Sequence, residues 1–148
     1  MAYNDIKAIL PRFQFKGKYV RATELTSGNI NSTYVLEYQE GNETHLYTLQ
    51  QVNTYVFRDP IGVMQNIALV TDHLRAAMEK NGGSAHRQVL ELVRTTDGKV
   101  LFQDRKLGVW RAYTYISDAL ALDVVEHPEQ SEEVGRAFGR FQRNLADF

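Results

Sequence analysis

The most constraining feature of the sequence is one long amphipathic stretch that separates two groups of β-rich runs. Asp59 and Pro60 offer an N-cap and a proline at the first helical position, and Gly82 lies where the pattern ends. Apolar residues recur between them at spacings of four, three, four and four, at Val63, Ile67, Val70, Leu74 and Met78. This spacing gathers them on one face and predicts a helix that packs against the rest of the chain.

Three β-rich runs precede this helix, at residues 18–25, 32–38 and 45–52. Within the second run, Tyr34, Leu36 and Tyr38 occupy alternate positions, which is the period of a strand with two different faces. The connections contain glycine and asparagine, which tolerate the positive φ angles of tight turns. The three runs predict an antiparallel meander.

Further β-rich runs follow the helix. Residues 89–95 and 100–103 flank Thr96-Asp97-Gly98-Lys99, and Asp-Gly is a hairpin signal, while residues 109–116 form one more run. The order of three strands, one helix and two or three strands predicts an α+β fold. We expect an antiparallel sheet of five or six strands with one packed helix, followed by a connecting segment over residues 117–127 that shows no clear period.

A last helix is predicted from Pro128 onwards. Its apolar residues recur at spacings of four, three, four and three, at Val134, Phe138, Phe141, Leu145 and Phe148. This stripe continues to the final residue without the glycine or basic turn that commonly ends a helix. We therefore expect the chain to be a fragment whose remainder covers the stripe, and an exposed stripe of this kind favours self-association.

Composition excludes several classes of protein. The chain has 148 residues, which suits one domain, and 17 Lys+Arg against 18 Asp+Glu give a formal charge of −1. No basic block is present, so neither nucleic acid nor a membrane surface is an expected partner. The absence of cysteine excludes disulfides and cysteine-based metal sites. With no signal peptide and no run of about 20 apolar residues, we expect a cytoplasmic protein.

Two polar segments are candidates for chemistry. The turn at residues 27–32, Ser-Gly-Asn-Ile-Asn-Ser, could hold phosphate oxygens with its backbone N–H groups, although a plain hairpin turn is the commoner outcome of such a sequence. Gln50 and Gln51 are adjacent on a predicted strand and must point to opposite faces. Periodicity alone favours an edge strand on which both amides are solvated.

Other chemistry-bearing residues form no recognisable group. The four histidines are too far apart in sequence to place two imidazoles on one helical face, so no metal site is predicted, and no catalytic set of acids can be assigned. The aromatic residues Tyr47, Trp110, Tyr113 and Tyr115 could line a pocket, but aromatic residues on strands more often form a core.

Five segments together resemble a known family. They are SGNINSTY at 27–34, YTLQQVN at 47–53, VFRDP at 56–60, VMQNI at 63–67 and WRAYTYI at 110–116. In order and spacing they resemble the N-terminal part of the aminoglycoside phosphotransferase family, whose fold is kinase-like. Within that family they are most similar to the branch of bacterial N-acetylhexosamine 1-kinases and mucin-desulfatase-like proteins.

The resemblance implies ATP-dependent phosphorylation of a small-molecule hydroxyl, in this branch the anomeric hydroxyl of an N-acetylhexosamine, with Mg²⁺ neutralising the phosphates. By position, Gly28, Asn29 and Asn31 would belong to a loop that covers the phosphates. The hinge beside the adenine would fall at residues 113–117, including Tyr113, Tyr115 and Ile116. The implied division is a kinase-like N-terminal lobe at 1–116, a linker at 117–127 and the first helix of a larger lobe at 128–148.

Two departures from the family pattern are visible. Most kinase-like proteins have a lysine on the third strand that pairs with a glutamate on the following helix, whereas here Gln50 occupies the lysine position. Asn66 lies close to the glutamate position, so we expect a neutral Gln50–Asn66 amide pair. Both residues are then candidates for the nucleotide site.

The second departure is that the chain contains no His-Gly-Asp catalytic motif. The resemblance therefore implies that the catalytic base, the metal ligands and most sugar contacts lie in a larger lobe outside this sequence, and that this chain is not catalytic by itself. The alternative that the sequence leaves open is a complete, non-enzymatic α+β binding or regulatory module.

Overall fold

The computed structural model describes residues 4–26, 30–80, 82–119 and 124–148. Its first three strands form the predicted meander: β1 is Lys18–Leu25, β2 is Ser32–Glu40 and β3 is Glu43–Gln51. All pairs are antiparallel, and the register runs without a break along β2 and β3 from Ser32↔Gln51 to Glu40↔Glu43. Alternation of apolar residues and glycine-containing turns were therefore sufficient to predict these strands.

The later strands assemble around one long strand. β6, Gly108–Thr114, pairs with β3 on one side, and the short strands β4, Leu92–Val93, and β5, Phe102–Asp104, share its other side. The sheet order is β1-β2-β3-β6-β4, with β5 also paired to β6. Within the described residues the fold is thus α+β with a six-stranded antiparallel sheet, as the sequence predicts, and it is consistent with the N-terminal lobe of a kinase-like protein.

Two details of the sheet differ from expectation. The Asp97-Gly98 turn does form, since the Thr95 N–H donates to the Lys99 carbonyl at 2.9 Å, but the strands on either side of it pair with β6 and not with each other. The predicted hairpin is wrong because β4 and β5 form their backbone hydrogen bonds with the longer strand β6, and not with each other. The expectation that β3 is an edge strand is also wrong, because β3 lies between β2 and β6.

One face of the sheet carries the main core. Tyr34, Leu36 and Leu49 are buried there together with Trp110 and Ala112 of β6. The N-terminal helix α1, Asn4–Ile9, and the 3₁₀ turn Leu10–Arg12 add apolar side chains to the same cluster. The indole Nε1–H of Trp110 donates to the Leu107 carbonyl at 2.6 Å, so this large side chain is buried with its polar atom satisfied. Tyr47 and Trp110 are therefore core residues, as aromatic residues on strands usually are.

The predicted long helix is present as α2, Pro60–Lys80. Asp59 Oδ1 accepts a hydrogen bond from the Gly62 N–H at 2.9 Å, which is the geometry of an N-cap. At the start of the helix Met64 is only 1% exposed and packs with Val52, Leu101 and Val109. This contact makes α2 the packed helix of the sheet.

The chain divides into two compact units, Met1–Ala68 with Leu90–Ile116, and Leu69–Val89 with Ser117–Phe148. The second unit contains the end of α2 and the last helix, α3, Pro128–Asn144. In that unit Leu74, Ala85 and Val89 form a small cluster that Leu145 joins, and His73 Nε2 lies 3.1 Å from both the Asn144 carbonyl and Asp147 Oδ1. The remaining apolar residues of the predicted stripe, Val134, Phe138, Phe141 and Phe148, are exposed.

None of the helices in the described part of the chain is long and apolar enough to span a membrane.

Candidate functional site

The second face of the sheet differs in chemistry from the core face. Because strand side chains alternate, the residues between the core positions point to this face, which we call the polar face. Its residues on β2, β3 and β6 include the apolar Val35, Leu46 and Val109, and its polar residues near the centre are Thr33, Thr48, Gln50, Arg111 and Tyr113. Thr48 is buried and the other four are half-buried, so these polar groups have limited access to water and need partners.

Three of these side chains form a hydrogen-bonded row across three adjacent strands. Thr33 lies opposite Gln50, and Gln50 lies opposite Arg111. Gln50 Nε2 donates to Thr33 Oγ1 at 2.9 Å, while Gln50 Oε1 accepts from Arg111 Nε at 2.9 Å. The Gln50 carboxamide is thus held at both ends, and the polar row of Thr33, Gln50 and Arg111 is ordered by the register of the sheet.

Arg111 brings a full positive charge to this row. Its only other hydrogen bond in the described residues is a weak one, from Nη1 to the sulfur of Met64 at 3.7 Å. No carboxylate in the described residues forms an ion pair with Arg111. The guanidinium is therefore positioned by the neutral side chains of Gln50 and Met64, and no ion pair with a described residue neutralises its charge.

The expected Gln50–Asn66 pair is wrong. The Gln50 amide bonds to Thr33 and Arg111, and Asn66 is an exposed residue of α2. The physical reason is helical geometry: Met64 faces the sheet, and a residue two positions further along a helix is rotated by about 200°. The sequence correctly predicted that α2 packs near the third strand, but it did not show that Met64, and not Asn66, is on the side that faces the sheet.

The predicted phosphate loop is described only at its end. Gly28 and Asn29 lie outside the described residues. Asn31 Oδ1 accepts a hydrogen bond from the Asn53 N–H at 2.9 Å, so its side chain ties the β1–β2 connection to the segment that follows β3. Thr33, the first member of the polar row, lies two residues beyond Asn31, so the Thr33 end of the row is the end near Asn31.

The predicted hinge begins inside β6. Tyr113 lies on the polar face opposite Thr48 and Leu92, and burial raises the pKa of its phenol while the nearby Arg111 charge partly opposes that rise. The N–H groups of Thr114 and Tyr115 donate to the carbonyls of Glu91 and Leu46, at 2.8 and 3.0 Å. In the part of the chain that the structure describes, the first backbone N–H after β6 without such a bond is that of Ile116.

The second glutamine of the pair is also bonded. Gln51 Nε2 lies 3.4 Å from the Leu107 carbonyl, on the opposite face from Gln50. Gly108, with φ at +83°, leaves room for it, since a Cβ at that position would lie 2.7 Å from Gln51 Nε2. The expectation that both amides are solvated is therefore wrong, because β3 is central and its polar side chains must find partners within the protein.

Sequence reasoning missed Arg111. The sequence does contain a signal for it, because a single arginine lies between Trp110 and Ala112 in the middle of a β-rich run. A charged residue is rarely buried in a strand unless it has a partner, so its presence there indicates a specific role. Its partners depend on strand register, which the sequence does not state.

A scan against protein-family models finds no match to this chain. The resemblance also implies a bound Mg²⁺. In residues 4–26, 30–80, 82–119 and 124–148, no three acidic or histidine side chains lie close enough together to bind a metal ion. The polar row, with Asn31 near its Thr33 end, is thus the candidate site, and its chemistry is that of hydrogen bonding and one positive charge.

Proposed function

We propose that this chain is the N-terminal, nucleotide-binding part of an ATP-dependent small-molecule kinase, and that the acceptor is the anomeric hydroxyl of an N-acetylhexosamine. The observation that carries the proposal is the polar row, which begins two residues beyond Asn31 and includes a cation that has no carboxylate partner among the described residues. Such a row suits the phosphates of a nucleotide, because phosphate binding requires positive charge and oriented N–H donors.

The arrangement of the other elements supports the same function. The β1–β2 connection, with Gly28, Asn29 and Asn31, would cover the phosphates, and the segment at Tyr113, Tyr115 and Ile116 would lie beside the base. The N–H of Ile116 is the donor we assign to the edge of the purine, since the two N–H groups before it are used within the sheet. The sugar assignment rests on the family resemblance alone.

Catalysis by this chain alone is not part of the proposal. In kinases with this type of lobe, an acidic residue of a separate catalytic loop accepts the proton of the attacking hydroxyl, and this sequence contains no His-Gly-Asp motif. The described residues would bind and orient the nucleotide, and transfer would require residues outside this sequence.

Nucleotide binding can be tested on the chain itself by following its backbone amide NMR signals during titration with ATP. We expect the signals of Asn31, Gln50, Arg111 and Ile116 to shift. Gln39 and Thr44, at the other end of the same strands, provide an internal control and should not move. Unchanged spectra at millimolar ATP, or shifts confined to Gln39 and Thr44, would contradict the proposal.

The acceptor needs a separate experiment, with a longer gene product that contains this chain together with a His-Gly-Asp loop. Incubation with ATP, Mg²⁺ and N-acetylglucosamine, N-acetylgalactosamine or glucose, followed by ³¹P NMR, should give a sugar 1-phosphate from the acetamido sugars only. Phosphate transfer to glucose at an equal rate would contradict the acceptor assignment and leave nucleotide binding untouched.

A further inference from the structure

The charged groups of the polar face are not equivalent. At the far end of that face, Arg21 Nε and Glu37 Oε2 form an exposed ion pair at 2.7 Å. Glu37 lies four residues from Thr33 on β2, roughly 13 Å along the strand. The Arg21 charge is therefore compensated locally, whereas Arg111 in the polar row has only neutral partners in the described residues.

The guanidinium of Arg111 is also only partly used. An arginine carries five N–H donors, and the contacts in the described residues occupy Nε and one N–H of Nη1. The Nε bond to Gln50 fixes the plane of the group, so the remaining donors form an oriented pair of terminal nitrogens. A planar, permanently charged group of this type binds phosphate oxygens in a bidentate manner.

The position of Arg111 also explains why residue 50 is not a lysine. Residues 50 and 111 are directly opposite on antiparallel strands, and like charges at such positions destabilise a sheet. A lysine at position 50 would repel Arg111, whereas a glutamine accepts its hydrogen bond. The missing lysine on β3 and the arginine on β6 are then explained together, since the positive charge lies on the neighbouring strand.

We propose that Arg111 supplies the positive charge that binds the nucleotide phosphates, with Gln50 as the residue that positions it. This inference rests on the proposed nucleotide-binding function. It adds a residue that the family resemblance does not assign, and it predicts that affinity for the phosphate part of the ligand depends on Arg111 while affinity for the nucleoside part does not.

The test compares ATP with adenosine on the 148-residue chain by isothermal titration calorimetry. Arg111→Met removes the charge and keeps an apolar side chain beside Met64. We expect ATP affinity to fall roughly 10- to 100-fold and adenosine affinity to stay unchanged, because hydrogen bonds to charged groups contribute about 1.5–3 kcal/mol. Arg21→Met is the matched control, since it removes an arginine from the same face, and it should change neither affinity.

A second variant returns the charge to β3. In Gln50→Lys/Arg111→Met the cation lies one strand away without a like-charged neighbour, and we expect at least half of the lost ATP affinity to be recovered on a logarithmic scale. The side-chain Nε–Hε NMR signal of Arg111 offers a direct measure in the wild-type chain, and it should shift with ATP and not with adenosine.

The outcomes separate this inference from the function on which it rests. If the wild-type chain binds neither adenosine nor ATP, the proposed function fails and this inference fails with it. If both ligands bind and Arg111→Met leaves ATP affinity unchanged, or weakens ATP and adenosine equally, Arg111 is a structural residue and the inference alone is overturned.

Discussion

The two faces of the central sheet are made by the same strands and differ in chemistry. The core face contains Leu36, Leu49, Trp110 and Ala112, each at most 1% exposed, and it is dominated by apolar and aromatic contacts. The polar face contains the row of Thr33, Gln50 and Arg111, where neighbouring side chains satisfy one another across the strands. Alternation along a strand allows this separation without any change in the backbone.

The comparison shows how one sheet can combine a buried apolar core with an ordered row of polar side chains. Burial of apolar area on the core face, and around Met64 and Val109 on the other face, supplies the stability, so the polar row can hold a charged side chain that contributes little to it. Within the described residues no buried side-chain nitrogen or oxygen lacks a hydrogen-bond partner, so the polar row does not carry the cost of an unsatisfied group. The following predictions test how far the two faces are independent.

The largest effect is expected from the core face. Leu49→Ala should lower the free energy of unfolding by about 2–5 kcal/mol, because it removes a fully buried side chain and leaves a cavity. Leu46→Ala is the matched control: it is the same change on the same strand, at a half-buried position on the polar side. Urea denaturation should show less than half the loss for the control. Equal losses would contradict the assignment of stability to the core face.

The next effect tests the electrostatics of the polar row. Gln50→Lys should destabilise the chain by about 1–2 kcal/mol, because it places a like charge opposite Arg111 and removes the hydrogen bond to that residue. In the Arg111→Met background the same substitution should cost at least 0.5 kcal/mol less, a coupling of the size found between contacting residues. A double-mutant cycle by urea denaturation measures this coupling. A coupling near zero would show that the two side chains act independently.

A smaller effect is expected where the row is broken at its neutral end. Thr33→Val removes the acceptor for Gln50 Nε2 and should cost about 0.5–1.5 kcal/mol. Thr44→Val, which breaks an exposed hydrogen bond to Gln39, should fall within about 0.5 kcal/mol of the wild type. Thermal melting of both variants compares the two sites. A larger loss at Thr44 would mean that the Thr33–Gln50 bond does not order the row.

The smallest effect at neutral pH is expected for Tyr38→Phe. Burial, with the nearby Tyr19 and Tyr47, raises the pKa of Tyr38 to about 12. The folded chain then holds its proton more tightly than the unfolded chain, so wild-type stability should fall as the pH rises from about 10 towards 12. Denaturation curves of the variant should match the wild type at pH 7 and show a weaker fall over that range. An unchanged fall would assign the alkaline instability to other groups.

Local patterns predicted the long elements well, whereas the predicted runs at residues 89–95 and 100–103 form only the short strands Leu92–Val93 and Phe102–Asp104. The bounds of β1 agree with the predicted run at residues 18–25, and α2 begins at the predicted proline, because an N-cap, an apolar period and a glycine act over a few neighbouring residues. The predicted start of α3 at Pro128 also agrees with the structure. These features depend on backbone preferences and local hydrogen bonds, which are encoded within each segment.

Pairing between distant segments was less predictable. The Asp97-Gly98 turn suggested a hairpin, but both flanking strands joined β6, and β3 became a central strand through the same long-range pairing. Competition among strands is decided by the total backbone partners and buried area of the assembled sheet, which no single window of sequence contains.

The sequence by itself determined the α+β class, the order of the elements and the presence of two glutamines on the third strand. Only the tertiary structure decided that Gln50 meets Arg111 and Thr33, that Met64 rather than Asn66 faces the sheet, and that the charge of the polar row comes from β6. The physical reason is that side-chain partners across strands depend on register and helix rotation, and both are set by packing over the whole sheet.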